Sequence, residues 1–150
     1  MNDSELLVRR TLRRFTRVYE EVFRGDPAAN VALEVEVAGS GVAEDTPVLI
    51  LITPWTLNGL AFPPDNRFPS SLIVNKRRYP VFAHELDDLG RYQSVNLVPD
   101  VSSLTSQEDA RRVAAELVEP FLEAVTRFRH VVEVPNPSRR NILGLSDRDS

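Results

Sequence analysis

The sequence predicts an α+β fold, in which an antiparallel β-sheet is packed by an N-terminal amphipathic helix and by a long helix in the C-terminal half. Apolar residues recur at three- and four-residue spacing in both helical segments, as in helices that bury one face. Between them lie short β-rich segments bounded by proline, glycine and aspartate, which is typical of strands joined by turns. Strands grouped between two helices favour α+β over an alternating βαβ arrangement.

The first helix is predicted from Ser4 to Phe23. Its apolar face carries Leu7, Val8, Leu12, Phe15, Val18, Tyr19, Val22 and Phe23, and its other face carries Arg9, Arg10, Arg13, Arg14 and Arg17. Two interpretations of the arginines stay open. They form either a solvated face, supported by Glu5–Arg9 and Arg17–Glu21 pairs at i,i+4, or a docking surface for an acidic partner.

The first half of the sheet is predicted from two β-rich segments. Val31 to Val37 alternates apolar and polar residues, as in a half-buried strand, and residues 39–41 (Gly-Ser-Gly) form a turn. Val48 to Thr53 is apolar on both faces, which predicts a central strand covered on both sides. Pro54-Trp55 interrupts this strand, and Thr56 to Phe62 resumes it.

The second half of the sheet is predicted to be a hairpin. Phe68 to Asn75 is irregular or a short edge strand, and residues 76–78 form an exposed turn. Tyr79 to Leu86 is one strand, residues 87–90 form a hairpin turn, and Arg91 to Val98 is the return strand.

The second helix begins with a predicted capping box, Thr105-x-x-Glu108. Pro120 inside its apolar pattern predicts a kink or a break, and Val131 to Val134 forms a short strand. We expect residues 1–150 to fold as a single domain with an extended tail from about residue 136.

Composition excludes several classes of chemistry. The 150 residues include no cysteine, so this chain forms no disulfide, thiolate nucleophile, cysteine-held zinc site or iron–sulfur cluster. The longest apolar run, Val48 to Ile52, is far shorter than the ~20 residues that cross a bilayer. A net charge of −4 disfavours general nucleic-acid binding. We therefore expect a cytoplasmic protein without nucleic-acid partners or membrane insertion.

Motifs for catalysis are absent from the sequence. No dinucleotide, P-loop, zinc-protease or nucleophile-elbow motif is present. The cluster His84-Glu85-Leu86-Asp87-Asp88 scatters its donors over both faces of a strand, which disfavours a metal or acid–base site. The sequence therefore predicts a protein that is not an enzyme and has no catalytic residues, metal site or cofactor.

The only tryptophan lies in an unusual place. Thr53-Pro54-Trp55 stands where a central strand should continue, although proline avoids sheet interiors. One interpretation is a bulge whose indole fills the core. The other is an aromatic anchor on a binding surface, since tryptophan is enriched at interface hot spots.

Several segments occur in an order that resembles a known family. They are Ile52-Thr53-Pro54-Trp55-Thr56-Leu57-Asn58 with Phe62-Pro63, then Glu85-Leu86-Asp87 leading to Gly90-Arg91-Tyr92-Gln93-Ser94 and Leu97-x-Pro99, and finally Asn136-Pro137-Ser138-Arg139-Arg140 before Leu143-Gly144. Over about 100 residues the chain resembles the HybE family of [NiFe]-hydrogenase assembly chaperones, also known as HupJ or HoxT proteins. The Thr-Pro-Trp element is the most specific part of the match, and Val98-Pro99-Asp100 departs from the family pattern, which tends towards Ser-Pro and a bulky apolar residue.

The resemblance implies a non-catalytic accessory protein that holds precursors of the hydrogenase large or small subunit until they are ready for assembly or export. The positions that match the family pattern, and are expected to bind the partner, are Thr53, Pro54, Trp55, Asn58, Tyr92, Ser94, Pro99, Arg139 and Arg140. The alternative is a small-molecule or metal binding module, or an enzyme, with a pocket near Trp55 and His84.

Overall fold

The computed structural model describes residues 3–23, 25–65 and 67–133, and it confirms the α+β prediction. The helices are α1 (Asp3–Val18), which continues into a π-helical turn (Tyr19–Phe23), and α2 (Gln107–Glu133). The strands are β1 (Glu36–Ala43), β2 (Thr46–Ile52), β3 (Leu57–Ala61), β4 (Ser71–Val74), β5 (Arg77–Pro80), β6 (Phe82–Leu86) and β7 (Gly90–Val98). Within these described ranges, no helix has the length and apolarity to cross a membrane. The predicted tail, with Arg139 and Arg140, lies outside the described residues.

The main sheet has five antiparallel strands in the order β1-β2-β3-β7-β6, and β4 and β5 form a separate hairpin. Alternate residues of β2 face opposite sides: Ile50 and Ile52 contribute to the core beneath α2, while Leu49 and Leu51 pack with residues of α1. The prediction of a central strand covered on both sides is therefore confirmed. The sheet is the middle layer between the two helices.

The packing of α2 on the sheet depends on missing side chains in β1 and β3. A Cβ atom at Gly59 would lie 2.6 Å from the ring of Phe121, and one at Gly39 would lie 2.5 Å from Val118. Such distances are far shorter than carbon–carbon contacts allow. Glycine at these positions lets α2 approach the sheet closely.

This packing explains why the predicted turn at residues 39–41 is wrong. These residues lie inside β1, where Gly39 pairs with Ile50 and Gly41 pairs with Val48. A β-bulge between Val37 and Gly39 shifts the register. The prediction of a strand over residues 31–37 is also wrong at its start, because β1 begins at Glu36. Glycine here serves the helix contact and the bulge instead of a chain reversal.

Two other strand predictions are corrected. Pro54-Trp55 does not interrupt a single strand, because β2 and β3 pair with each other as antiparallel neighbours. The predicted strand Tyr79–Leu86 divides at Val81 into β5 and β6, which belong to different sheets. The edge strand predicted within residues 68–75 is confirmed as β4, and the turn at residues 87–90 is confirmed as the β6–β7 connection.

The turn predicted at residues 76–78 lies one residue earlier. Asn75 and Lys76 have positive φ angles of 54° and 72°, as in the two-residue turns that match the twist of a hairpin. Arg77 and Arg78 already belong to β5 and pair with Val74 and Ile73. Asparagine before lysine therefore marks the turn, and the arginines extend the strand.

The start of α2 is capped one residue later than predicted. The Ser106 hydroxyl accepts the backbone N–H of Asp109 at 3.1 Å, and the Asp109 carboxylate accepts the backbone N–H of Thr105 at 3.2 Å. Pro120 does not break the helix, which continues to Glu133. The strand predicted from residue 131 is therefore wrong over residues 131–133. Burial of the apolar face of α2 outweighs the hydrogen bond lost at proline.

One buried arginine of α2 holds two loops. The side chain of Arg129 is fully buried; its Nε and Nη2 donate to Asp45 at 3.0 and 2.8 Å, and its Nη1 donates to Asp65 at 2.9 Å and to the Arg67 carbonyl oxygen at 2.7 Å. These hydrogen bonds lower the pKa of Asp65 to about 2 and that of Asp45 still further, and they raise the pKa of Arg129. The β1–β2 turn and the loop around Asp65 are thus fixed to α2.

Acid should weaken this anchor in a defined range of pH. The folded pKa values of both aspartates lie below their ordinary value of 3.8, so their contribution is fully present above about pH 4 and is lost as the pH falls through the folded values. We expect Asp45→Asn to lower the free energy of unfolding at pH 7 by about 1–2 kcal/mol and to flatten its decline between about pH 4 and 2. Urea unfolding at several pH values measures both effects.

Asp87→Asn is the control, because Asp87 is an exposed aspartate in the β6–β7 turn. The control should keep the wild-type pH dependence. An unchanged pH dependence in Asp45→Asn would contradict the role of Arg129 as an anchor.

The contact between Gly59 and Phe121 gives a second prediction. Gly59→Ala places a methyl group against the aromatic ring and should destabilise the protein by about 1–3 kcal/mol, because overpacking strains a close-packed core. In the background Phe121→Leu the same substitution should cost less, since the smaller side chain leaves room for the methyl group. A double-mutant cycle of unfolding free energies measures this coupling, and additive effects would show that the contact does not limit packing.

Candidate functional site

The Thr-Pro-Trp element is a turn built around one hydroxyl group. Thr53 is buried, and its Oγ1 accepts the backbone N–H groups of Trp55 at 3.2 Å and Thr56 at 3.0 Å and donates to the Thr56 carbonyl oxygen at 3.0 Å. Asn58 Nδ2 donates to Thr56 Oγ1 at 2.7 Å. The turn between β2 and β3, which we call the Trp55 turn (residues 53–56), is therefore rigidly organised.

Trp55 packs against the end of the N-terminal helical segment. Its indole is half-buried and contacts the ring of Tyr19 at the end of α1, with centroids 5.5 Å apart and ring planes at 53°. The interpretation of a bulge whose indole fills the core is wrong, because Trp55 belongs to a hairpin turn and its half-buried indole packs on Tyr19 in the π-helical turn after α1. The tilted contact fixes the orientation of the indole.

The Trp55 turn is also tied to the segment that follows β7. The backbone N–H of Asn30 donates to the Pro54 carbonyl oxygen at 2.8 Å, and Asn30 Nδ2 donates to the carbonyl oxygens of Val101 and Leu104 at 2.9 and 2.8 Å. Sequence reasoning missed Asn30, since nothing in the local pattern shows where its amide bonds. Pro99 is exposed just before this segment.

A partly open area of the sheet adjoins the turn. Asn58 pairs with Asn96, and Ser94 lies between Leu60 and Phe82 in neighbouring strands. Side chains at these positions point to the same side as Leu60 and Tyr92, which pack with residues of α1. Asn96 is exposed and Phe82 is 47% exposed. We call Asn58, Phe82, His84, Tyr92, Ser94 and Asn96 the open sheet face, in which Tyr92 is buried, with 4% of its surface exposed, and the other five are exposed or half-buried.

Three side chains of this face contact one another. His84 Nε2 and Ser94 Oγ are 2.7 Å apart, and the His84 ring stacks on Tyr92 with centroids 4.7 Å apart and planes at 18°. Burial lowers the pKa of His84 and raises the pKa of Tyr92. Tyr92 also contacts Phe62 at 5.5 Å. Sequence reasoning missed His84 as a partner of Ser94, although the predicted hairpin turn already places the two strands side by side.

The pair of His84 and Ser94 resembles the base and the hydroxyl group of a nucleophilic site, but within the described residues no third group orients the histidine. Nucleophilic catalysis needs a base that is itself oriented by a third group, and across residues 3–23, 25–65 and 67–133 no carboxylate is hydrogen-bonded to His84. In the same ranges, no three histidine, aspartate or glutamate side chains come together in a way that would hold a metal ion. The arrangement is suited to hydrogen bonding and stacking with a bound partner.

The structure separates Trp55 from His84. The strand after the Trp55 turn begins at Leu57, which pairs with Val98, whereas His84 pairs with Tyr92. These two positions of β7 are six residues apart, a distance of roughly 20 Å along the strand. The strand register thus places Trp55 and His84 at different ends of β7.

The sequence-predicted site residues thus fall into groups. Thr53, Pro54, Trp55 and Asn58 meet at the Trp55 turn, and Tyr92 and Ser94 lie on the open sheet face, while Pro99 is exposed near the turn. Arg139 and Arg140 lie outside the described residues. Asn58 of the open sheet face donates a hydrogen bond to Thr56 of the turn, so the two are continuous.

Residues 7–145 match the family model described as [NiFe]-hydrogenase assembly, chaperone, HybE. The chain belongs to the HybE family. It is 34% identical over 126 residues to the hydrogenase expression/formation protein HoxT of Azotobacter vinelandii, covering 79% of this chain and 78% of that protein. It is 34% identical over 101 residues to the hydrogenase expression/formation protein HupT of Azotobacter chroococcum mcd 1, covering 63% of this chain and 68% of that protein. No solved structure matches it significantly.

The hydroxyl of Thr53 gives a prediction for this HybE-family chain. Thr53→Val removes three hydrogen bonds and leaves the backbone N–H groups of Trp55 and Thr56 without that acceptor, which should lower the free energy of unfolding by about 1–3 kcal/mol. Thr53→Ser keeps the hydroxyl and should cost distinctly less. Urea unfolding measures the stability, and tryptophan fluorescence reports the order of the turn. Equal costs for the two variants would show that the hydroxyl does not hold the turn together.

Proposed function

We propose that this HybE-family chain holds an unfinished structural subunit of [NiFe]-hydrogenase until the subunit is ready for assembly or export. We further propose that the subunit precursor, large or small, binds the Trp55 turn and the open sheet face. The step would take place in the cytoplasm, before export. The observation that carries the proposal is the rigid placement of a half-buried tryptophan beside a surface rich in hydrogen-bonding side chains.

The rigidity of the Trp55 turn favours binding. A partner that contacts a mobile loop must order it, which costs about 0.5–1.5 kcal/mol for each immobilised side chain. Here the hydrogen bonds of Thr53 and the contact with Tyr19 already hold the turn and the indole in the free protein. Trp55 is therefore suited to be an anchor whose burial adds affinity without a large entropic cost.

The open sheet face supplies recognition around that anchor. Asn58, Ser94 and Asn96 offer amide and hydroxyl groups, while Phe82 offers an exposed aromatic ring. A mixture of an aromatic centre and polar surroundings is typical of protein–protein interfaces. The opposite face of the sheet is unsuited to this role, because α2 covers it with the main apolar core.

A capture experiment tests the anchor. The large and small subunit precursors are co-expressed separately with the tagged chain, and the captured amount is compared between wild type and Trp55→Ala. We expect Trp55→Ala to weaken capture of one precursor by about tenfold or more, as at interface hot spots. Tyr79→Ala is the control, because Tyr79 is a half-buried aromatic residue of the separate β4–β5 hairpin, and it should leave capture unchanged.

The outcomes separate the function from the site. Circular dichroism and an unfolding curve verify that each variant is folded. If wild type captures neither precursor, the proposed function is contradicted. If wild type captures a precursor and Trp55→Ala captures it equally well, the function stands and the assignment of Trp55 is contradicted.

A further inference from the structure

The strand β1 forms one open edge of the five-stranded sheet. It stands first in the order β1-β2-β3-β7-β6, so among residues 3–23, 25–65 and 67–133 it pairs with β2 alone. Edge strands carry backbone N–H and C=O groups that no neighbour uses, and proteins usually blunt such edges with charges, proline or bulges. The bulge of β1 lies before Gly39, and residues 39–43 (Gly-Ser-Gly-Val-Ala) contain no charge and no proline.

The strand register identifies the backbone groups that point away from the sheet. The Pro47 carbonyl oxygen accepts the backbone N–H of Phe62, so the backbone of Pro47 points towards β3. Val42 is the partner of Pro47 in β1, and in an antiparallel pair that is not hydrogen-bonded both residues direct their backbone groups away from each other. The N–H and C=O of Val42 therefore point outward, as do those of Ser40 two residues earlier. Both residues are exposed.

The helix α2 runs beside this edge and forms one wall of a groove. A Cβ atom at Gly39 would lie 2.5 Å from Val118, and one at Gly41 would lie 2.9 Å from Leu122. Two strand residues advance about 7 Å and four helix residues about 6 Å, so strand and helix run side by side. A groove of about 510 Å³, which we call the β1–α2 groove, is lined by Val42, Glu119, Leu122, Glu123, Thr126 and Arg127.

The β1–α2 groove combines apolar surface with carboxylates. Val42 is 58% exposed, and Leu122 is half-buried. Glu119 and Glu123 are exposed. Across residues 3–23, 25–65 and 67–133, the ion pairs of α2 involve neither of these glutamates. Their charges are therefore not neutralised by the part of the chain that the structure describes.

The cationic residue of the groove contacts a different part of the molecule. Arg127 Nη2 donates to the Ile73 carbonyl oxygen in the β4–β5 hairpin at 3.4 Å. Glu44, in the turn that follows β1, is exposed and adds a further carboxylate close to the groove. The surroundings of the β1 edge are therefore acidic overall, and their charge suits a basic ligand.

We propose that the β1–α2 groove binds an extended basic segment of a partner protein, which adds to the sheet as a sixth strand. The outward groups of Ser40 and Val42 would pair with the backbone of that segment, as in other cases of β-strand addition. Its arginine or lysine side chains would pair with Glu119 and Glu123. Its apolar side chains would cover Val42 and Leu122.

Backbone geometry and charge together favour a basic peptide strand over other ligands. Outward N–H and C=O groups of an edge strand are satisfied by another extended chain, and carboxylates repel a nucleic acid. A second copy paired through β1 would bring the same carboxylates together, which disfavours it. The β1–α2 groove is separate from the residues assigned to subunit capture, and the inference does not depend on the proposed function.

Fluorescence anisotropy with defined peptides tests the inference on the full chain. The probe is a fluorescein-labelled peptide of about eight residues in which valine and arginine alternate, and a second probe of the same sequence is N-methylated at every backbone amide. The methylated peptide keeps the charges and side chains but has no N–H donors, so it should bind at least about tenfold more weakly. Added salt should weaken binding of the unmethylated peptide.

Two pairs of variants locate the contact. Val42→Pro removes the outward N–H and should weaken binding at least about tenfold, whereas Val42→Thr keeps the N–H and the branched shape and should retain binding within about threefold. Glu119→Lys with Glu123→Lys should weaken binding at least about tenfold. The control for net charge is Glu21→Lys with Glu85→Lys, at exposed positions in the π-helical turn and in β6, and it should retain binding within about twofold.

Four results would overturn the inference: no binding of the unmethylated peptide to wild type, equal binding of the two peptides, equal binding to Val42→Pro and Val42→Thr, or equal losses in the groove and control reversals. A dimer in analytical ultracentrifugation that Val42→Pro dissociates would also overturn it, because the edge would then belong to a second copy. Circular dichroism verifies the fold of every variant, and the comparison of the two peptides on wild type needs no variant.

Discussion

The close packing of α2 against one face of the sheet is the constraint on which the rest of the molecule depends. Gly59 leaves room for Phe121, and Gly39 leaves room for Val118. Because of this, α2 lies closer to two strands than a larger residue at either glycine position would allow. Arg129 then ties the β1–β2 turn and the loop around Asp65 to the same helix. The face of the sheet beneath α2 is therefore buried and contributes to the stability of the fold.

The other face of the sheet is covered less completely. α1 covers only part of it, and the buried hydroxyl of Thr11 in α1 has no hydrogen-bond partner among the described residues, so this contact is less complete than the contact with α2. The Trp55 turn and the open sheet face both belong to this side. On this side Trp55 contacts Tyr19, and the polar side chains of the open sheet face lie next to the turn.

Much of this fold follows from patterns that are local in the sequence. Helical spacing predicts both helices. The apolar run at Val48–Ile52 predicts the central strand, because a segment that is apolar on both faces indicates burial on both sides even when the covering elements are not known. The predictions that were wrong involve contacts between distant residues. A glycine-rich pattern does not show whether glycine is needed to reverse the chain or to let a helix pack closely, so the turn predicted at Gly39 is wrong. Likewise, the sequence around Arg129 does not show that Asp45 and Asp65 are its partners.

In the candidate site, too, local features could be predicted from the sequence, whereas contacts between distant residues could not. Thr53-Pro54-Trp55 was identified by its conflict with strand rules, and such conflicts are expected at functional positions. Its interpretation as an interruption of one strand was wrong, since the residues form the turn of a hairpin whose second strand is Leu57–Ala61. The contact of His84 with Ser94 depends on strand register, which composition and spacing do not determine.

The central claim is that α2 serves stability while the opposite side of the sheet binds the hydrogenase subunit. Hydrogen–deuterium exchange of the chain, alone and in complex with a captured subunit precursor, tests it most directly, because protection maps the contact surface without mutation. The account predicts added protection at residues 53–58 and 92–96 and unchanged exchange along Gln107–Glu133. Added protection confined to α2 would contradict it.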